Sequence, residues 1–184
     1  LLTNTTEEVQ YHELQNNIVK TITPTGLNGD THLEEEIEYN DRSNVTSETD
    51  EEGNVTAYTY GDSQNPDLET KVKTTNADGE TTSEVAYEYD SKGNLIKEID
   101  YIEKIVTKYT YDNDGNATES IETLVDEDTN LSNVSSTALS KGLENSKDTA
   151  TYDQDGNTKT SGVLSGTISQ TEQNTYDDLG RITT

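Results

Sequence analysis

The sequence predicts an all-β protein made of tandem antiparallel β-hairpin repeats, forming a long curved sheet or an open spiral or shell segment. Three observations predict it. A turn motif, Tyr-Asp-x-x-Gly-Asn, recurs along the chain. The residues beside each copy alternate with the period of two that a strand requires. The copies follow one another at roughly the length of a hairpin, the mark of a repeat architecture.

The first residues, 1–19, carry little pattern and are expected to be a lead-in; Glu7 to Leu14 reads equally as strand, helix or frayed end. The repeat array is expected over 20–184. A degraded copy of the motif runs from Tyr39 to Asn44, with Ser43 in the glycine slot. Two turns keep the motif without its tyrosine: Asp50-Glu51-Glu52-Gly53-Asn54 and Asn76-Ala77-Asp78-Gly79. Full copies are Tyr89-Asp90-Ser91-Lys92-Gly93-Asn94, Tyr111-Asp112-Asn113-Asp114-Gly115-Asn116 and Tyr152-Asp153-Gln154-Asp155-Gly156-Asn157. The last is Tyr176-Asp177-Asp178-Leu179-Gly180-Arg181.

The motif is a turn for a physical reason. An Asp or Asn at the first position of a type I turn accepts a hydrogen bond from the backbone two residues on. Glycine at the fourth position enters the left-handed region without steric cost. Together they make a type I turn with a G1 bulge, a common hairpin tip.

The flanks read as strands. Tyr58 and Tyr60 are two apart, as are Tyr87 and Tyr89, and Tyr109 and Tyr111, so each pair shares a face. Rows of tyrosine on neighbouring strands are expected to pair and to form the apolar spine of the sheet. Gly29 to Ser43 spans 14 residues, as does Gly79 to Gly93, and these segments lie 50 residues apart. A superperiod of about four strands follows.

Two stretches depart from the rule. Residues 61–68 hold Pro66 and replace a short turn with a loop insertion. Residues 130–148 are rich in Ser and Asn and are expected to be irregular, a loose hairpin in preference to a short helix around Ala138 to Glu144. Asp126-Glu127-Asp128-Thr129-Asn130 is expected to rewrite one turn.

Composition sets the remaining limits. The 184 residues are 27% hydrophobic and contain no Phe, Trp, Met or Cys. Such a chain is short of the apolar volume an ordinary two-layer domain buries. The formal net charge is -26. Low hydrophobicity with high charge is the composition of disorder, but eleven Tyr and many Thr and Val are strand formers. The charge argues against nucleic acid and against anionic membrane surfaces. No apolar run is long enough to insert in a bilayer. The absence of cysteine excludes a disulfide framework. The missing initiator Met reads as a piece of a longer protein.

At this point the residues resemble the YD-repeat, or Rhs-repeat, family, whose signature is Tyr-Asp-x-x-Gly-Arg/Asn followed by a strand. The resemblance rests on Tyr89 to Asn94, Tyr111 to Asn116, Tyr152 to Asn157 and Tyr176 to Arg181. It extends over roughly 20–184, helped by the turn at Asp50 to Asn54. It implies a long sheet spiralling into a hollow shell, as in bacterial Rhs and wall-associated polymorphic toxins, toxin-complex cocoon proteins and teneurins. In toxins the shell encloses a C-terminal effector; elsewhere the repeats serve adhesion or carbohydrate contact. This sequence is more acidic than that family, carries Asn in most of its Arg slots, and holds no self-cleaving core motif.

No nucleophile elbow, zinc spacing or phosphate loop is present, and no enzyme activity is expected. His12 and His32 read as ordinary strand or lead-in residues. Calcium is the one cofactor considered: Asp112, Asp114 and Asn116 alternate around one turn, as do Asp153, Asp155 and Asn157, and oxygen clusters suit a hard cation. The EF-hand count fails, because Thr110 and Thr151 fall at its first position. The expected role is structural: a module of a large secreted or cell-surface bacterial protein, whose partners are neighbouring repeats of the same chain. Glycans, or an encapsulated toxin domain, are the alternative partners.

Overall fold

The computed structural model describes residues 8–11, 18–25, 30–134, 139, 142–177 and 179–183, with side chains from 36 onward. Thirteen strands run in chain order: β1 (Glu8–Tyr11), β2 (Ile18–Thr25), β3 (Asp30–Tyr39), β4 (Val45–Asp50), β5 (Val55–Thr59), β6 (Lys71–Thr75), β7 (Thr81–Tyr89), β8 (Leu95–Asp100), β9 (Ile105–Tyr111), β10 (Ala117–Leu124), β11 (Leu143–Tyr152), β12 (Thr158–Ser165) and β13 (Ile168–Gln173). They fall in two units, residues 1–85 and 86–184, divided within β7.

In the first unit each strand pairs antiparallel with the next, from β1 to β6. Register slips by one residue between Glu38 and Tyr39, the bulge that leads into the 40–44 turn. Threonines and salt bridges replace a large core: Thr56 meets Thr74 at 3.1 Å, while Lys71 and Lys73 both reach Glu84.

The second unit continues the meander from β8 to β13. Its core is small. Val106 is fully buried, and Ile99, Val125 and Leu131 expose 3–5% of their surface. Ile99 pairs directly with Val106, and Val106 with Thr123. Val125 and Leu131 come from the connection between β10 and β11 and fold onto this patch, with Ala86, Tyr101, Val134 and Leu139 packed around it. A 3-10 turn, Leu131–Asn133, is capped by Asn130, whose side chain accepts from Ser132 N.

This placement corrects the expected tyrosine spine. Val106 and Tyr109 are three apart on β9, so they point to opposite faces. The buried cluster is aliphatic and lies on the Val106 face, with Tyr101 at its edge; Tyr109 and Tyr111 occupy the other face of β9 and stay half-buried.

The strands also correct two boundaries. The irregular segment expected over 130–148 ends at Leu143, because β11 pairs Leu143 with Leu124 and Lys147 with Ile121. The polar sequence of β11 hides it: Leu143 is 68% exposed, and the strand is recruited by the backbone ladder and by ion pairing of Lys147 with Glu119. The lead-in expected over 1–19 holds β1 and the start of β2. The 61–68 insertion is seen as a connection from Tyr60 to Thr70 between β5 and β6. Of the helical alternative around Ala138 to Glu144, Leu139 is helical, whereas Leu143 and Glu144 already belong to β11 and pair with Leu124 and Thr123; Ala138 itself lies outside the described residues, as does His12. His32 sits in β3, paired with Thr23.

The superperiod is present in the elements. β4 and β8 are offset by 50 residues (45–50 against 95–100), and β5 and β9 begin 50 apart, at 55 and 105.

Candidate functional site

The recurring chemistry of the chain is at its hairpin tips. In the tip at 112–116, Asp112 Oδ1 accepts from Asp114 N (3.0 Å) and Asn116 N (2.9 Å), and Oδ2 accepts from Asn116 Nδ2 (3.0 Å). Gly115 N donates to the Asp112 carbonyl, and Asp112 N to the Asn116 carbonyl. One carboxylate therefore ties the fifth residue to the first while the glycine closes the turn. Asp50 with Asn54, Asp90 with Asn94 and Asp153 with Asn157 repeat these bonds at 2.8–3.0 Å. Asn40 and Asn76 do the same through their amide oxygens, at 2.9–3.1 Å. At the last tip Arg181 takes the place of Asn and donates from Nε to Asp177 Oδ2 (2.7 Å).

The fourth position is left-handed in every one of these seven tips: φ is 65° at Ser43, 83° at Gly53 and Gly79, 86° at Gly93, 90° at Gly115, 81° at Gly156 and 73° at Gly180. Ser43 thus occupies the glycine slot, as its sequence position predicts, at a backbone cost that glycine avoids.

The tyrosines bind one tip to the previous one. Tyr60 Oη donates to the Val45 carbonyl, Tyr111 to Leu95, Tyr152 to Ala117 and Tyr176 to Thr158, all at 2.7–2.8 Å. In each case the acceptor is the residue just after the Asn that ends the preceding Tyr-headed turn. The tyrosine that opens one tip thereby closes the mouth of the hairpin behind it. A second rung lies beside it: Thr110 meets Thr118, Thr151 meets Thr160, and Thr175 meets Thr183 at 2.6–3.1 Å. The sequence reading missed both rungs. Their signal is the Thr-Tyr pair before the turns at Thr59, Thr110, Thr151 and Thr175.

It also missed the tip between β8 and β9. Asp100 Oδ1 accepts from Ile102 N and Glu103 N, both at 2.8 Å, so the same cap is used. One added residue moves the left-handed position to Lys104 (φ 57°), and no glycine advertises it. The long 60–70 connection has its own cap, Asp62, and is pinned to the 40–44 tip by Asp67, which takes a bidentate pair from Arg42 (2.7 Å each) and a bond from Asn44 Nδ2 (2.9 Å).

Electrostatics follow from these bonds. The amide side chain of the fifth residue, with the turn N–H groups, holds Asp50, Asp90, Asp112 and Asp153 below the ordinary carboxylate value; Arg181 does so for Asp177. Asp67 is lowered to about 2 by its hydrogen bonds from Arg42 and Asn44. On the tyrosine face, burial pushes the Tyr58 hydroxyl up to about 12, reinforced by its 2.9 Å bond to Glu48. Burial raises Tyr109 and Glu98 on the corresponding face of the second unit.

Of the calcium candidates, Asp112, Asn116, Asp153 and Asn157 are already engaged in the tip bonds, whereas Asp114 and Asp155 enter the tip through their backbone N–H groups. Both oxygens of Asp112 and of Asp153 accept bonds inside the tip, and Asn116 and Asn157 turn their amide N–H toward them. Among the described residues no group of three His, Cys, Asp or Glu side chains is placed to hold a metal ion. Nor is any helix among them long and apolar enough to cross a membrane.

The RHS Repeat family model matches residues 39–81, which hold β4 to β6 and the tips at 40–44, 50–54 and 76–80. That segment matches an RHS repeat. Beyond the match, the same tip bonds return at 90–94, 112–116, 153–157 and 177–181, so the turn chemistry of the matched segment runs well past residue 81. The fold agrees. The crystal structure of TcdB2-TccC3 without its hypervariable C-terminal region superposes with a TM-score of 0.69 and 18% identity, covering 96% of this chain and 9% of that one. TcdB2-TccC3-Cdc42 gives 0.68 and 18%, covering 94% and 9%. The Tc holotoxin pore of Photorhabdus luminescens gives 0.66 and 16%, covering 93% and 8%. At these identities the likeness is one of fold, and the chain spans about a tenth of the length of each structure. No curated protein matches it.

Proposed function

We propose that this stretch is an architectural module, a wall segment of a β-shell in a large secreted or surface-anchored bacterial protein, with catalysis left to other parts of that protein. The observation that carries this reading is the economy of the tips. Every Asp or Asn cap finds its partners within its own five residues, and every bolting tyrosine finds its partner in the adjacent hairpin. Such an arrangement propagates without a central core, as extended repeat proteins do. A shell that encloses a C-terminal effector is the form best supported, because the structures of like fold include toxin complexes and a holotoxin pore.

The test uses the full-length natural polypeptide. Its termini and internal cuts are mapped by mass spectrometry before and after protease treatment. A non-repeat segment that survives while the repeats are native, and is digested once they are unfolded in urea, is the expected result. A non-repeat segment digested at the same rate in both conditions overturns the shell. Repeats that run on to a wall or membrane anchor, with no separate segment, replace it with a surface stalk.

A further inference from the structure

Three of the seven tips carry Asp directly before the left-handed glycine: Asp78-Gly79, Asp114-Gly115 and Asp155-Gly156. The capping carboxylates at Asp112 and Asp153 accept on both oxygens, but the carboxyl groups of Asp78, Asp114 and Asp155 accept no hydrogen bond from the described residues; only their backbone N–H groups take part in the tip. The glycines present no side chain to hinder attack, and nothing lies within 4 Å of where a Cβ would be at Gly79 and Gly115. What holds each site closed is a single backbone bond: Gly79 N to the Asn76 carbonyl at 2.9 Å, Gly115 N to Asp112 and Gly156 N to Asp153 at 3.2 Å each.

We propose that Asp78, Asp114 and Asp155 are built-in sites of aspartate isomerisation, gated by opening of the tip. The backbone nitrogen of the glycine attacks Cγ of the preceding aspartic acid. An N–C bond forms, and the side-chain hydroxyl leaves with the amide proton as water, giving a five-membered succinimide. Water then opens the ring at either carbonyl, returning aspartate or producing isoaspartate, in which the chain runs through the former side chain. Water is the only co-reactant, and no oxidant or enzyme is needed. To attack, the glycine nitrogen has to leave its carbonyl partner, so the closed tip suppresses the step. The longer bonds at Gly115 and Gly156 place those two sites ahead of Gly79. An isoaspartate lengthens the backbone of a tip whose cap spans only five residues, so Asn116 N and Asn157 N no longer reach their carboxylates together with the glycine bond. The other tips are internal controls, because Arg42, Glu52, Lys92 and Leu179 occupy the same position and cannot form this ring.

The whole chain is incubated at neutral pH and physiological temperature, natively and in urea. Isoaspartate is located by enzymatic carboxyl methylation and by fragment-ion mass spectrometry. The expected result is isoaspartate at 78, 114 and 155, formed at least about tenfold more slowly in the native chain, as a locally opening segment requires. Product from Asn28-Gly29, outside the described residues, is distinguished by the mass change of deamidation. Equal rates in both conditions overturn the gating. Isoaspartate at Asp residues not followed by glycine, or none at these three sites in urea, overturns the assignment. Asp114→Glu, which matches the natural Glu52 tip, is expected to abolish product at that site and leave the melting curve unchanged; loss of the other two products in that variant also counts against the proposal.

Discussion

The hydroxyl of Tyr111 donates to the carbonyl of Leu95 across 2.7 Å, joining the end of β9 to the start of β8. Three more tyrosines make the equivalent bond in other hairpins. Removing one hydroxyl while keeping the ring isolates this bond. Tyr111→Phe is expected to cost about 1 kcal/mol, the typical net worth of such a hydrogen bond. Tyr152→Phe and Tyr176→Phe are expected to behave alike, and widely spaced pairs to add. Urea denaturation followed by circular dichroism checks it, and an unchanged midpoint in all three variants removes the bolt from the energetics.

Ser43 and Gly115 occupy the same left-handed slot with opposite suitability. Ser43→Gly is expected to stabilise the chain, and Gly115→Ala to destabilise it by about 1–2 kcal/mol, the cost of a Cβ in that region. Lys104→Gly tests the tip that lacks a glycine and is expected to follow Ser43→Gly in sign. Thermal melting of the three variants reads the difference directly.

Val106 is the one large side chain fully buried among the described residues. Val106→Ala is expected to cost about 2 kcal/mol, between the costs of losing one methylene and a whole leucine side chain. Ile96→Ala, at 36% exposure on the opposite face of β8, is expected to cost much less. Similar losses at both positions would mean that the aliphatic cluster is not the stabilising centre of its unit.

Acid is expected to open the tips. The capping aspartates titrate below their ordinary value in the folded chain. The unfolded chain therefore binds protons first, so the stabilisation is complete above about pH 4 and is lost as pH falls through the lower folded values. Asp112→Asn is expected to flatten part of that loss, since Asn40 and Asn76 cap their tips without titrating. Denaturation midpoints between neutrality and strong acid test this.

At the alkaline end Tyr58 works in the other direction. Its folded value of about 12 lies above the unfolded one. Its contribution is intact below about pH 10 and is lost as pH rises toward the folded value. Ultraviolet titration of tyrosinate should show one hydroxyl ionising late, and Glu48→Gln should bring it earlier.

The tips were legible in the sequence because their chemistry is local. Asp112, Gly115 and Asn116 sit within five residues, and their types report the bonds they make. The 50-residue offset was legible for the same reason. The tyrosine partners were not, because a carbonyl acceptor carries no sequence signal: any residue at position 95 offers one. The aliphatic cluster was missed because Val125 and Leu131 belong to a connection whose path is set by packing, not by periodicity. The Asp100 tip was missed because a single inserted residue displaced the left-handed position from Glu103 to Lys104, where no glycine marks it.

In each tip the capping bonds belong to the first, fourth and fifth residues, and the third adds its backbone N–H; where a third-position side chain bonds at all it mostly reaches out of its own tip, Arg42 to Asp67 and Lys92 to the Asn113 carbonyl. Pairs as different as Asp41-Arg42, Glu51-Glu52, Ser91-Lys92 and Gln154-Asp155 sit on the same scaffold. Those two positions are open lettering on a fixed frame. The charge and texture of the rim can be rewritten, by drift or by design, one tip at a time, with the capping bonds left in place; at Arg42 such a change also gives up the tie to Asp67.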